Sequence, residues 1–282
     1  MSEQTIGLAL GAGGARGIAH VHVLRALDDL GLKPSAIAGT SIGAILGAAY
    51  ASSLSGDEIR AMLLELFGDR QAIITSLWSL RARDIADWTG SGRPRFGELN
   101  LERILQRLLP TSLPDNIEDL KINTQILATD YYGHQNAVFS SGPLLSAMAA
   151  SAAMPAVFQP VTIDGVVLID GGATNPVPID LLQDRASFII GVDVSGGPEG
   201  ENGELPSMVE ALYGANQLMQ RTIISEKAKR MRCDVLMRPK VGSWQVLDFM
   251  RTDKVLKATE PLFEEVKVAV GMAMENAEKP VK

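Results

Sequence analysis

Ser41 sits in the stretch GTSIG, with Gly39 and Gly43 on either side, between the apolar run AIA and the small-residue run AILGAAYA. A serine on the sharp turn between a strand and a helix is presented as a nucleophile. Glycines beside it let the strained turn pass close to the following helix without a Cβ in the way. G-x-S-x-G recurs by chance in chains rich in Gly and Ser, but on a strand-turn-helix junction it points to acyl transfer by Ser41. Attack on a carbonyl needs donors for the resulting oxyanion. The stretch GAGGARG, Gly11 to Gly17, offers them as backbone N–H groups of a glycine loop at the start of a helix. Gly13 and Gly14 are the expected donors, each worth about 3 kcal/mol of barrier lowering, with Arg16 shaping or neutralising the loop. The plainer alternative is that these glycines only let a tight turn pack on a sheet.

The same loop also invites a nucleotide reading. A dinucleotide fingerprint needs glycines at the first, third and sixth positions after a strand, and an acidic residue about twenty residues further on. Counted from Gly11, the sixth position is Arg16. Counted from Ala12, Gly14 and Gly17 fit but the first glycine is missing, and the next strand ends in IAGTS rather than in an acid. The loop suits a transient negative charge better than a bound phosphate.

The base that would take the serine's proton is less obvious. The chain has three histidines and none follows His134, so the order Ser, acid, His of a hydrolase triad is not met. His20 and His22 fall in the first helix, and His134 in the turn-like DYYGHQN. A carboxylate is the remaining candidate: VVLIDGGATNPVP puts Asp170 at the end of an apolar run, and Gly171 and Gly172 after it leave room for an approaching chain. Taken alone, Asp170 reads as a strand-end residue capping the next turn. An aspartate of ordinary pKa, about 3.9, is a poor base near neutrality, so the site must raise it by desolvation and position it closely. This chemistry calls for no metal and no cofactor. Asp193, a second strand-end carboxylate in GVDV, reads as structural.

Short apolar runs alternate with longer periodic ones, and these elements must position the three stretches. IGLAL precedes a helical pattern from Ala15 to Leu30, AIAGT precedes Ile42 to Ser53, and INTQILAT follows. VVLID precedes Pro178 to Leu182, and FIIGVDV precedes Leu205 to Met231. Such alternation predicts an α/β fold with a mostly parallel central sheet and helices on both faces. Ile18, Val21, Leu24, Leu27 and Leu30 recur at helical spacing, and Gly31 supplies the stop. The chain shows no repeat and no long linker, and residues 1–282 read as one domain. The Gly/Pro/Arg loop from Thr89 to Gly97 is expected to divide the body from a mobile flap.

Taken together and in this order, GAGGARGIAH, GTSIG, ASAAMPAVFQP and DGGATNPVP resemble the patatin-like phospholipase family over roughly Ile6 to Val194. That resemblance implies a three-layer α/β/α sandwich, a motif-bearing core at about 6–194 and an extension at about 205–278. It also implies a Ser-Asp dyad acting on acyl esters of lipids. Residue by residue, Ser41 becomes the nucleophile, Asp170 the general base, and Gly13, Gly14 and Arg16 part of the oxyanion loop. Ala12 stands where the family usually has glycine, and His22 where many bacterial members have glycine. Either departure could alter the acyl pocket, or His22 could simply face solvent.

Composition narrows the partners. A formal net charge of -7 argues against a nucleic-acid surface. Cys233 is the sole cysteine, which leaves no disulfide framework or thiol metal cluster and suits a reducing compartment, with the cytoplasm as default. The N-terminus lacks the pattern of a signal peptide. The charge-free run from Phe139 to Ile163 carries three prolines and several serines and reads as buried core rather than a span. Trp78, Arg81, Arg83 and Trp88 compose a tract suited to a membrane-touching flap or to an ordinary amphipathic helix. Lys227, Lys229, Arg230 and Arg232 could attract anionic head groups or form a solvated helix face. The sequence thus points to a serine acyl hydrolase taking a phospholipid or lysophospholipid, with peripheral contact at the inner membrane surface left open. A nucleotide-binding protein and a catalytically silent regulator on the same fold are the rival readings. Nothing in the sequence sets an oligomeric state.

Overall fold

A computed structural model describes residues 4–68, 99–200 and 204–278. The tract carrying Trp78, Arg81, Arg83 and Trp88 and the loop from Thr89 to Gly97 lie outside these residues. The strands are β1 (Ile6–Leu10), β2 (Ala36–Thr40), β3 (Asn123–Asp130), β4 (Gln135–Phe139), β5 (Val161–Ile163), β6 (Val166–Asp170), β7 (Phe188–Val192) and β8 (Val235–Met237). The α-helices are α1 (His20–Asp29), α2 (Ile42–Ala51), α3 (Gly56–Gly68), α4 (Leu101–Leu108), α5 (Leu144–Ser151), α6 (Met208–Arg230), α7 (Thr252–Thr259) and α8 (Leu262–Glu278).

One mixed sheet runs in the order β5-β6-β3-β2-β1-β7-β8, with β4 paired to β3. The pairs among β1, β2, β3, β7 and β8 are parallel, as the alternation predicts. β4, β5 and β6 form an antiparallel branch that the alternation did not predict. The helix expected from Ala15 starts as a 3₁₀ segment, Gly14–Ala19, and the one expected after Pro178 is only a 3₁₀ turn, Ile179–Leu182.

The two faces of the sheet are unequal. Leu8, Leu10, Ile37, Ile126, Ile190 and Val192 point into the main core beneath α1, α2, α5, α7 and α8. The opposite face presents Ala9, Ala36 and Ala38 with Ile189, which pack on Val177, on Ile179 and Leu182 of the 3₁₀ turn and on Ile224 of α6. The small alanine side chains let the turn lie close to the sheet. Among the described residues no helix is long and apolar enough to cross a membrane.

Candidate functional site

The site forms where two strands share one edge of a third. β4 occupies one edge of β3 from Ile126 to Asp130. β2 pairs along the other edge from Asn123 to Leu127, and β6 arrives from the opposite direction to take Ala128 to Asp130. Thr40, the last residue of β2, therefore faces Leu127, while Asp170, the last of β6, faces Ala128, the next position along. The chain leaves β2 at Ser41 beside the end of β6, and residues 129 positions apart meet.

The Ser41 hydroxyl donates to Asp170 Oδ2 at 2.6 Å. Asp170 Oδ1 accepts the Gly172 N–H at 2.7 Å, and the Asp170 carbonyl accepts the Thr129 hydroxyl at 3.0 Å. Asp170 thus caps the following turn, as its position suggested, and also reaches the serine. Burial raises its pKa from an ordinary 3.8 to about 6, against the opposing effect of the Ser41 and Gly172 hydrogen bonds. At neutral pH such a carboxylate is largely ionised and more basic than an exposed one.

Ser41 has φ 58° and ψ -126°, a conformation uncommon for a residue with a side chain. Its surroundings hold it there. The Ser41 carbonyl accepts the N–H groups of Ala44 and Ile45 in the first turn of α2, at 2.9 and 3.2 Å. Its own N–H goes to the Ser151 hydroxyl at 2.8 Å, and that hydroxyl donates to the Leu127 carbonyl at 2.6 Å. Ser151, fully buried at the end of α5, therefore bridges the gap where β2 leaves β3. A Cβ on Gly43 would overlap the Leu10 carbonyl, which accounts for the glycine after the serine. The Thr40 hydroxyl donates to the Asn175 carbonyl at 3.0 Å and ties the elbow to the turn after Asp170.

The glycine loop follows β1 at the same end of the sheet, since Leu10 pairs beside Gly39. Gly11 donates its N–H to Val192, Ala12 to Pro176 and Ala15 to Val246. The N–H groups of Gly13 and Gly14 have no hydrogen-bond partner among the described residues. Gly14 has φ +57°, and a Cβ there would overlap the Val246 carbonyl. Arg16 is buried, with Nε donating to the Gly13 carbonyl at 3.3 Å and Nη1 to the Ser195 carbonyl. Because a trans peptide points its C=O and N–H in opposite directions, pinning the Gly13 carbonyl fixes the direction of the Gly14 N–H. Burial lowers the Arg16 pKa to about 10 while Asp193 acts to raise it, so the guanidinium stays charged at neutrality. Asp193 accepts the Ser195 N–H and hydroxyl and pairs with Arg238 at 3.2 Å, a structural arrangement.

Gly17 begins no new feature beyond the loop's close packing on Ile42, and Gly171 lies over Leu127. His20 is buried with Nε2 at 2.9 Å from the Gly11 carbonyl, and burial lowers its pKa to about 4. His22 is buried between α1 and α7, its Nε2 at 2.9 Å from the Leu256 carbonyl, and so does not face solvent. Lys227 pairs with Asp180, and Lys229 and Arg230 share Glu226. Among the described residues no group of three or more His, Cys, Asp or Glu gathers as a metal ion would need.

The sequence reading missed Ser151, which it left inside an alanine-rich run. It also missed α6 as a cover: a Cβ on Gly172 would lie 2.8 Å from Gln220 Nε2 and 3.0 Å from the Ala12 Cβ. The turn after Asp170, the glycine loop and α6 thus meet at one place.

Residues 8–182 match the family described as patatin-like phospholipase. Among curated relatives, an uncharacterized NTE family protein of Mycobacterium tuberculosis is 34% identical over 200 residues, covering 71% of this chain and 51% of its own length. The lysophospholipase NTE1 of Yarrowia lipolytica is 26% identical over 278 residues, covering 89% of this chain and 18% of its own. The chain spans about half the length of the mycobacterial relative, 51%. Among solved structures, VipD from Legionella pneumophila aligns with a TM-score of 0.49 at 13% identity, over 95% of this chain and 67% of that one.

Proposed function

The chain belongs to the patatin-like phospholipase family, and from that premise we propose that it is a serine acyl hydrolase cleaving carboxylic esters of phospholipids or lysophospholipids. The observation that carries this reading is the 2.6 Å hydrogen bond from the Ser41 hydroxyl to a carboxylate whose pKa burial has raised to about 6. Ser41 Oγ attacks the ester carbonyl carbon as its proton passes to Asp170 Oδ2. The Gly13 and Gly14 N–H groups receive the oxyanion of the tetrahedral intermediate. Collapse expels the alcohol, which takes the proton back from Asp170 and leaves Ser41 acylated. Water then attacks the acyl-serine, Asp170 accepts its proton, and the fatty acid departs as the proton returns to Ser41.

Only two loop N–H groups remain available among the described residues, enough for one oxyanion and too few for the cradle a pyrophosphate requires. That favours the hydrolase over the nucleotide reading. The test is labelling of the intact protein by a serine-reactive phosphonate, with Ser41→Ala as control and hydrolysis of a short-chain nitrophenyl ester alongside. Labelling at Ser41 with measurable turnover is expected. A folded protein that neither labels nor turns over would give the fold to a silent regulator.

A further inference from the structure

α6 buries Gly214 and Ile224 against the body, yet much of its apolar surface lies on the other side. Its inward side carries Gln217, whose Nε2 donates to the Ser195 carbonyl at 3.2 Å, Gln220 beside Gly172, and Lys227 paired with Asp180 at 2.7 Å. A helix on a water-soluble protein normally turns apolar residues inward and polar ones outward. Here the outward side of the first half of the helix carries Met208, Leu212 and Met219, exposed by 86%, 65% and 59%. Leu205, just ahead of the helix, is 91% exposed. Of the thirteen exposed large apolar residues among those described, six lie between Leu205 and Met219, so the exposure is concentrated and not scattered.

One further feature gives this face a direction. Between Glu210 and Glu226 the only charged residue is Arg221, and beyond Glu226 the outward side turns basic with Lys229 and Arg230, which share that single glutamate.

We infer that the outward face of α6 is the surface by which this protein sits on a lipid layer containing anionic head groups, so that acyl chains reach Ser41 from the membrane. The inference rests on the lipid-ester reading above. The apolar end of the helix enters the acyl boundary, and the basic end meets the head groups. With a net charge of -7 the protein has no general attraction to an anionic surface, so the contact must be local. A second copy seated on the same face would bury a helix that lies against Gly172, two residues past Asp170, whereas a lipid layer there supplies the substrate.

The experiment is flotation of the full chain with vesicles of phosphatidylcholine, alone or mixed with phosphatidylglycerol, for wild type and for the combined variant Met208→Glu, Leu212→Glu, Met219→Glu. These side chains are exposed, so folding should be kept, and thermal melts check it. Wild type is expected to float, more strongly with the anionic mixture. The variant should lose about tenfold or more in vesicle binding and in hydrolysis of a vesicle-borne ester. Its turnover of a soluble short-chain ester should stay within about twofold. Equal flotation of variant and wild type, or none with wild type, overturns the inference. A wild-type dimer in sedimentation that the variant abolishes, without vesicle binding, assigns the face to a second copy and also overturns it. Vesicle binding lost in the variant with no ester turnover in either protein leaves the docking face standing and removes the hydrolase reading.

Discussion

The Ser151 hydroxyl holds Ser41 by its backbone: it accepts the Ser41 N–H at 2.8 Å and donates a hydrogen bond to the Leu127 carbonyl at 2.6 Å. This one group replaces the ladder bond that β2 can no longer make once its chain turns out of the sheet, and it does so from a helix distant in sequence. Ser151→Ala leaves a buried N–H and a buried carbonyl without it, at a cost of about 1–3 kcal/mol each where water cannot enter. We expect kcat to fall by about ten- to a hundredfold with little change in KM, because Ser41 is misaimed and the substrate surface is untouched. Partial recovery in Ser151→Thr, which restores the hydroxyl, separates positioning from loss of packing. An unchanged kcat in Ser151→Ala would remove the role.

Ser41→Ala and Asp170→Asn should each abolish ester hydrolysis while the protein stays folded, and the double variant should be no worse than either single. The reason is that one proton passes between the two groups, so losing either ends the step. Turnover of a nitrophenyl ester by all three variants decides it. Additive losses would mean that the residues act separately.

Turnover should fall as pH drops through about 6, because protonated Asp170 cannot accept the Ser41 proton. The same shift has a stability consequence of opposite sense. A carboxyl whose folded-state pKa exceeds its unfolded 3.8 stabilises the fold fully below that value, and the contribution is lost as pH rises through about 6. Asp170→Asn, which carries no charge, should therefore melt higher than wild type above about pH 6 and lose that advantage toward about pH 4. A variant less stable than wild type across the whole range would contradict the raised pKa.

Gly14→Ala should reduce kcat by about a hundredfold, the order associated with one oxyanion donor, with KM little changed. The added Cβ meets the Val246 carbonyl at a position whose φ is +57°, so the peptide must turn and its N–H with it. Kinetics on a soluble ester, with a melting curve to confirm folding, provide the check. A variant whose KM rises while kcat holds would place Gly14 in ground-state binding.

Much of the candidate site was legible in the sequence because its pattern is local. GTSIG between an apolar and a small-residue run specifies a strand, a tight turn and a helix, and the structure has β2, Ser41 and α2 there. What brings Asp170 to Ser41 was harder to read, since VVLID has the same pattern in either strand direction. A signal was present nonetheless: Asp164-Gly165 joins β5 to β6 with φ +49° and +80°, the two-residue hairpin turn that such a pair favours. Ser151 left no trace, because a serine among alanines reads as helix interior until a strand end is placed against it. The cover formed by α6 was illegible for a related reason: a helix carrying apolar residues outward gives a periodicity that cannot say which side the sheet lies on.

The alanine-lined face of the sheet sets a tolerance for the whole assembly. Ala36, Ala38 and Thr40 alternate onto one side of β2, and the 3₁₀ turn resting there belongs to the same stretch as Asn175, whose carbonyl receives the Thr40 hydroxyl. Adding methyl groups in mid-sheet, as in Ala38→Val, would act as a shim. It would lift that stretch and move Asp170 from Ser41 without altering any atom of either residue. Such a variant should lose ester turnover at unchanged secondary structure, and an unimpaired rate would show that the stretch yields elsewhere.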